Sequence, residues 1–186
     1  MNTFFWKTFL DYTERLLIFL FPDFFGLSVF TRLPVFSFSF MVGLFGKGIL
    51  ILVTLELSIN PFVDLPRKRG AAKRYYLSFN IVRGLHYQVY NQIKKSVHAD
   101  IVAQLSRLPT FQALHAPVAV TCTLWSSGER KQDLDNLSAV VKFVTDAVVA
   151  TGWLEDDSTK YIKSVTYLWG GVDKGHPRYD ITYNEI

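Results

Sequence analysis

Seven apolar residues recur at every fourth position from Ile81 to Leu105: Ile81, Leu85, Val89, Ile93, Val97, Ile101 and Leu105. An α-helix brings such positions to one side, so the stripe predicts a long helix that must lay that side on an apolar surface. Ser78 is placed to cap its start, and Pro109 lies beyond its end. The surface is written in the flanks. "GILILVTLELSI", Gly48 to Ile59, is rich in β-branched and apolar residues and stops at Asn60-Pro61, which reads as a buried strand. "APVAVTCTLW" reads as a second strand. Leu137, Val140, Val141, Val144 and Val148 then mark the inner face of a second helix, ended by Thr151-Gly152. "KYIKSVTYLW" and "RYDITYN" alternate as two further strands, and "GGVDKGHP" between them reads as a hairpin loop. The order β-α-β-α-β-β describes a small α+β domain, in which a mixed sheet backed by two helices is the economical packing.

That domain spans 48–186, long enough for an ordinary core. Residues 1–47 are a different text. Twelve of the sixteen Phe residues precede Phe62, yet Asp23, Arg32 and Lys47 interrupt the apolar runs and Pro22 and Pro34 break them. The longest uncharged stretch, Leu33 to Gly46, falls short of the roughly twenty residues a spanning helix needs. Asp11, Glu14 and Asp23 sit where a signal peptide would be apolar. A Phe-rich extension that the fold need not include remains: a membrane-associating segment, a partner-binding arm, or upstream sequence translated ahead of a start at Met41, the reading favoured here. The single cysteine, Cys122, lies in an apolar run and reads as a buried strand thiol, which suits a reducing compartment.

Charge directs attention to two places. The net balance is +4, a lean toward a polyanionic partner. Arg67, Lys68, Arg69, Lys73 and Arg74 crowd the Pro-punctuated loop "NPFVDLPRKRGAAKRYY", which is either a solvated loop or a track for nucleic-acid phosphates. The acids bracket the second helix. Asp133 and Asp135 stand two apart before it, with Asn136 at its mouth, and Asp156 and Asp157 follow it in "WLEDDS". An extended chain points Asp133 and Asp135 the same way. Such residues ordinarily cap a helix and solvate a turn. If a strand-helix-strand unit returns the chain to one sheet edge, the two pairs converge instead. Converging carboxylates repel, and a hard divalent ion such as Mg²⁺ relieves that cost through oxygen ligands. Lys142 and Asp146 fall on the outer side of the helix as an i, i+4 pair.

Taken together, "DLDN", a helix carrying "KFVTDAV", then "GWLEDDS" before a strand resembles the RusA-type Holliday-junction resolvases, sharply from Asp133 to Ser158 and loosely from Leu52 to the C-terminus. The resemblance implies a homodimeric, Mg²⁺-dependent endodeoxyribonuclease that cuts branched DNA symmetrically, encoded by a phage or prophage and acting in the bacterial cytoplasm. It maps the three essential acids to Asp133, Asp135 and Asp157, with Asp156 as a neighbouring ligand, and the helix lysine to Lys142. Arg130 and Lys131, with the basic loop, then lie where they could hold the DNA backbone. One departure stands out. About three extra residues separate Asn136 from Lys142, a shift that in an α-helix falls about 60° short of a full turn. A catalytically inactive branched-DNA-binding protein is the alternative this departure leaves open.

Overall fold

Alternation decides the centre of the molecule. In the strand Val118–Ser126 every second side chain, Val118, Val120, Cys122, Leu124 and Ser126, is buried, and those between are half-buried. A computed structural model of the chain describes residues 16–20, 26–32, 37–45, 48–67, 69–108, 114, 117–129 and 132–186, with backbone alone up to Leu52. Its strands are β1 (Leu16–Leu20), β2 (Gly26–Arg32), β3 (Ser37–Phe45), β4 (Gly48–Ile59), β5 (Phe62–Leu65), β6 (Lys73–Tyr76), β7 (Val118–Ser126), β8 (Ile162–Val172) and β9 (Arg178–Glu185). The helices are α1 (Phe79–Val82), α2 (Tyr87–Leu105) and α3 (Ser138–Ala150), with a 3-10 turn at Leu134–Leu137 leading into α3.

The domain is α+β, as its sequence pattern implies. Four strands in the order β4-β9-β7-β8 form a mixed sheet, and the backbone of β3, β2 and β1 continues it antiparallel beyond β4. β8 runs parallel to β7, which requires a crossover, and α3 is that crossover. Side chains line up in rows across one face: Leu55–Tyr183–Val120, Leu57–Ile181–Cys122 and Ile59–Tyr179–Leu124. None of these nine is more than 3% exposed. α2 supplies Ile93, Val97, Ile101 and Leu105 to the core, and α3 supplies Val140, Phe143, Val144, Ala147 and Val148. At the end of the sheet Gln104 stands in for a strand partner, accepting from Ser58 N–H (3.2 Å) and donating to Ser58 O (2.7 Å). Burying a large side chain in such a core contributes about 1.5–3 kcal/mol. Among the described residues no helix is long and apolar enough to cross a membrane.

Three expectations need correction. The long helix is two: α1 ends at Arg83, Gly84 follows, and α2 restarts behind His86, whose ring Nδ1 accepts from Gln88 N–H at 3.4 Å. Glycine is costly inside a helix, so the chain breaks there. Ser78 therefore stands before α1, not α2, and makes no side-chain cap. Ile81 is left 42% exposed, outside the stripe it seemed to begin. Second, the basic loop contains a hairpin, β5 antiparallel to β6, with Val63 and Leu65 buried beneath it. Third, β8 and β9 are not a hairpin. The chain does reverse between them, but β7 lies in the middle. The α3 crossover fixes β8 on one side of β7, and the apolar row of β9 has its match in β4 on the other.

Candidate functional site

The segment after β7 is held in place before it turns into α3. Tyr76 Oη–H donates to Gln132 Oε1 (2.5 Å), which ties the segment to β6. Asn136 Oδ1 accepts from Asn80 N–H (3.3 Å), tying it to α1, and Asn136 N–H donates to Asp133 O (3.2 Å), closing the turn. Leu134 packs against the core and Leu137 is buried. With the leucines inward, Asp133 and Asp135 are both exposed. Asp133 sits at the N-cap position of the 3-10 turn without making a side-chain cap. Among the described residues neither carboxylate has a cation partner. Arg130 and Lys131 lie outside the described residues.

The second acidic pair has another setting. After α3, Gly152 takes φ +78°, a left-handed geometry that suits glycine, and the chain turns. Trp153 N–H caps Val148 O (3.1 Å), and Trp153 and Leu154 are buried, pinning the following loop to the domain. That loop returns along the helix far enough for Lys142 Nζ to donate to Asp157. Lys142 lies four residues into α3, about 6 Å along its axis. Lys142 also pairs with Asp146 (2.8 Å), and Lys94 of α2 pairs with Asp146 from the other side (2.5 Å). The result is a chain of alternating charge, Lys94–Asp146–Lys142–Asp157, that staples α2, α3 and the loop before β8. Burial raises the Asp146 carboxyl, but the hydrogen bonds from Lys142 and Lys94 outweigh it and hold the group below its ordinary range. The Lys142 ammonium is raised, first by its bond to Asp146 and then by that to Asp157, so it stays charged. Asp156, next door, is exposed and held low by the Ser158 hydroxyl.

The structure therefore joins some of the expected site residues and not others. Lys142 and Asp157 touch. Asp133 and Asp135 share one turn. Asp157 and Asp156 do not close with that turn into a single metal cage, since among the described residues no group of three or more Asp, Glu, His or Cys side chains could hold a metal ion. The topology gives the reason: Asp133 and Asp135 follow the C-terminal end of β7, Asp157 precedes the N-terminal end of the parallel β8, and α3 lies between. The carboxylates that could serve a divalent ion are Asp133 and Asp135, the first in extended backbone before the 3-10 turn and the second within it. Mg²⁺ takes one or two carboxylates and completes its octahedron with water and phosphate oxygen, and both carboxylates are exposed and without a cation among the described residues.

Between Asn136 and Lys142 only Leu137 belongs to the 3-10 turn; residues 138–141 are the first turn of α3. Lys142 points outward, 56% exposed. Of the basic residues, Arg67 and Arg69 are exposed at the tip of the β5–β6 hairpin, and Lys68 lies outside the described residues. Lys73 sits over the Tyr75 ring, and Arg74 is engaged with Asp64 through two bonds of 2.9 Å. The Tyr76–Gln132 bond connects this hairpin to the acidic turn. Sequence reasoning missed Lys94 and Gln132. Lys94 follows Ile93 directly, at the margin of the buried stripe, a position from which a lysine reaches a neighbouring helix; Gln132 carried no comparable signal. Comparison with family models and with curated proteins returns no match to this chain.

Proposed function

We propose that the chain is a Mg²⁺-dependent endodeoxyribonuclease for branched DNA such as four-way junctions, a homodimer encoded by a phage or prophage and acting in the bacterial cytoplasm. The observation that carries this reading is the pair Asp133 and Asp135: exposed, on a turn held by Gln132 and Asn136, and without a cation among the described residues. Mg²⁺ bound there would neutralise charge at the scissile phosphodiester and act on it as a Lewis acid. Asp133 and Asp135 would hold that ion in place. The Lys142 ammonium, kept protonated by Asp146 and Asp157, is an electrostatic stabiliser and not a proton acceptor. It is exposed enough to exchange a carboxylate for a phosphate oxygen. Arg67 and Arg69 extend the positive surface along the hairpin that Tyr76 fastens to the acidic turn.

The alternative is a branched-DNA-binding protein without catalysis. It is favoured by one observation, that Asp157 is spent on Lys142 and adds nothing to the Asp133–Asp135 pair. A synthetic mobile junction separates the two. The nuclease nicks opposite strands in Mg²⁺, stops in EDTA, and binds without cutting as Asp135→Asn. Binding with no Mg²⁺-dependent product at any protein concentration establishes the alternative.

A further inference from the structure

The rows of the core face do not stop at β7. Registered on β8, they continue from Val120 to Val165, from Cys122 to Tyr167 and from Leu124 to Trp169. On the inner strands every member is buried. On β8 the helices no longer cover the face: Val165 is 41% exposed, Trp169 45%, and Tyr167 half-buried. Leu168, on the opposite face, is 45% exposed. β8 is also the last strand of the sheet, with β7 on one edge and no described strand on the other. Natural sheet edges are blunted by charge, proline, shortness or bulges. Here register shifts at Lys163 and Gly170 bound an unbroken stretch, Ser164–Trp169, and that stretch has no charge and no proline.

We infer that this edge joins two copies of the chain, with Ser164–Trp169 pairing antiparallel across a two-fold axis at Tyr167. An open strand edge is satisfied by another strand, and the sequence of β8 is its own match. In that register Val165 of each copy faces Trp169 of the other, Thr166 faces Leu168, and Tyr167 faces itself. Opposed residues in an antiparallel pair share a face. The uncovered Val165, Tyr167 and Trp169 of both copies thus close into one apolar cluster on the helix side, and Thr166 and Leu168 do the same on the other. The nearest charge, Lys163, meets Gly171, so no like charges oppose. The arrangement is isologous and closes at two. It locates the homodimer contact of the proposed nuclease, yet it stands on the strand edge alone, and its test reads mass and cross-linking without any cleavage.

Sedimentation equilibrium of the full chain, paired with a cysteine scan over 163–169, tests it. Cys122 is fully buried and its thiol is pushed up to about 12 by burial, so it stays silent to reagents. Directly opposed residues have Cβ atoms about 4.5–5.5 Å apart, within reach of a short bis-thiol reagent. The expected results are a dimer in the wild type, the highest cross-linked yield at Tyr167→Cys, and a monomer with unchanged circular dichroism in Val165→Lys. Leu168→Glu, on the other face, gives the same loss of dimer should Val165→Lys fold poorly. A wild type that is monomeric at all concentrations overturns the inference. So does a dimer that survives both charged substitutions and cross-links no better at Tyr167→Cys than at Lys163→Cys.

Discussion

Asp146 and Asp157 each hold a lysine; Asp133 and Asp135, at the other end of the same helix-turn unit, hold none among the described residues. The two sets differ in what surrounds them. Asp146 is only 18% exposed and faces α2, so an unpaired charge there would be costly, and two lysines answer it. Asp133 and Asp135 stand in water on a turn whose anchors are leucines and amides, and the fold asks nothing of their charge. Acids that the fold neutralises are structural first. Acids that it leaves open can take a ligand's cation.

The largest effect that sharpens this contrast is on cutting. Asp135→Asn keeps the shape of the side chain and removes the charge. Loss of an outer partner of a metal ligand typically costs about 10–100-fold, so loss of the ligand itself is expected to lower the Mg²⁺-dependent nicking rate by at least about 100-fold. The melting temperature should stay within about 2 °C, because substitution of an exposed residue with no ion pair among the described residues changes stability by no more than about 0.5 kcal/mol. Junction nicking and calorimetry on the same sample check both. A large drop in melting temperature would move Asp135 into the structural set.

How much of this was legible in the sequence depends on how local each signal is. The strands β4, β7 and β9 were visible because their apolar and β-branched runs survive in the text, as was the outward placement of Lys142, because the valines define the other side of α3; Asp146, read on that same outer side, turns to α2 and is only 18% exposed. The β5–β6 hairpin was hidden: each strand has four residues, β5 buries only Val63 and Leu65, and Pro66 and Gly70 read as loop. The break at Gly84 was masked by a stripe that kept its period across two helices. Strand order was not legible, since the place of β9 beside β4 is set by residues more than a hundred positions away. Nor was the partner of Asp157. A turn after a helix gives no sign of how far it climbs back, and it climbs to Lys142.

Lys142→Ala breaks the neutralised set at its centre. Asp157 loses its cation and Asp146 keeps only Lys94. Hydrogen bonds to charged groups contribute about 1.5–3 kcal/mol, and the exposure of Lys142 discounts that, so a loss of about 1–2 kcal/mol is expected. That lowers the melting temperature by roughly 2–8 °C for a domain of this size. Cutting should fall as well, and a loss of cutting with no change in melting would separate the catalytic from the stapling role of this residue.

Asp146 and Lys142 respond to pH with opposite sign. The Asp146 carboxyl is depressed in the folded chain, so its contribution is complete above its unfolded value, about 3.9, and is lost as pH falls through the lower folded value. The Lys142 ammonium is raised, so its contribution is complete below about 10.4 and is lost as pH rises through the higher folded value. Urea midpoints should therefore show a constant gap between wild type and Lys142→Ala from about pH 5 to 9, narrowing below about pH 4 and again above about pH 10.5. A gap that narrows near pH 6–7 would point to a histidine instead.

Asp157→Asn is the smallest and the most discriminating. It removes one arm from Lys142 while Asp146 remains, and the carboxylate is about one-third exposed, so a stability change of about 0–1 kcal/mol is expected. If Asp157 acts only by steadying Lys142, nicking falls by no more than a few-fold, and raising Mg²⁺ does not restore it, because the Asp133–Asp135 pair is untouched. If Asp157 ligates the ion once DNA is bound, nicking falls as far as in Asp135→Asn and the Mg²⁺ concentration for half-maximal rate rises. A Mg²⁺ titration of the nicking rate in the two variants side by side makes the choice, and the second outcome would dissolve the division between the neutralised and the open acids.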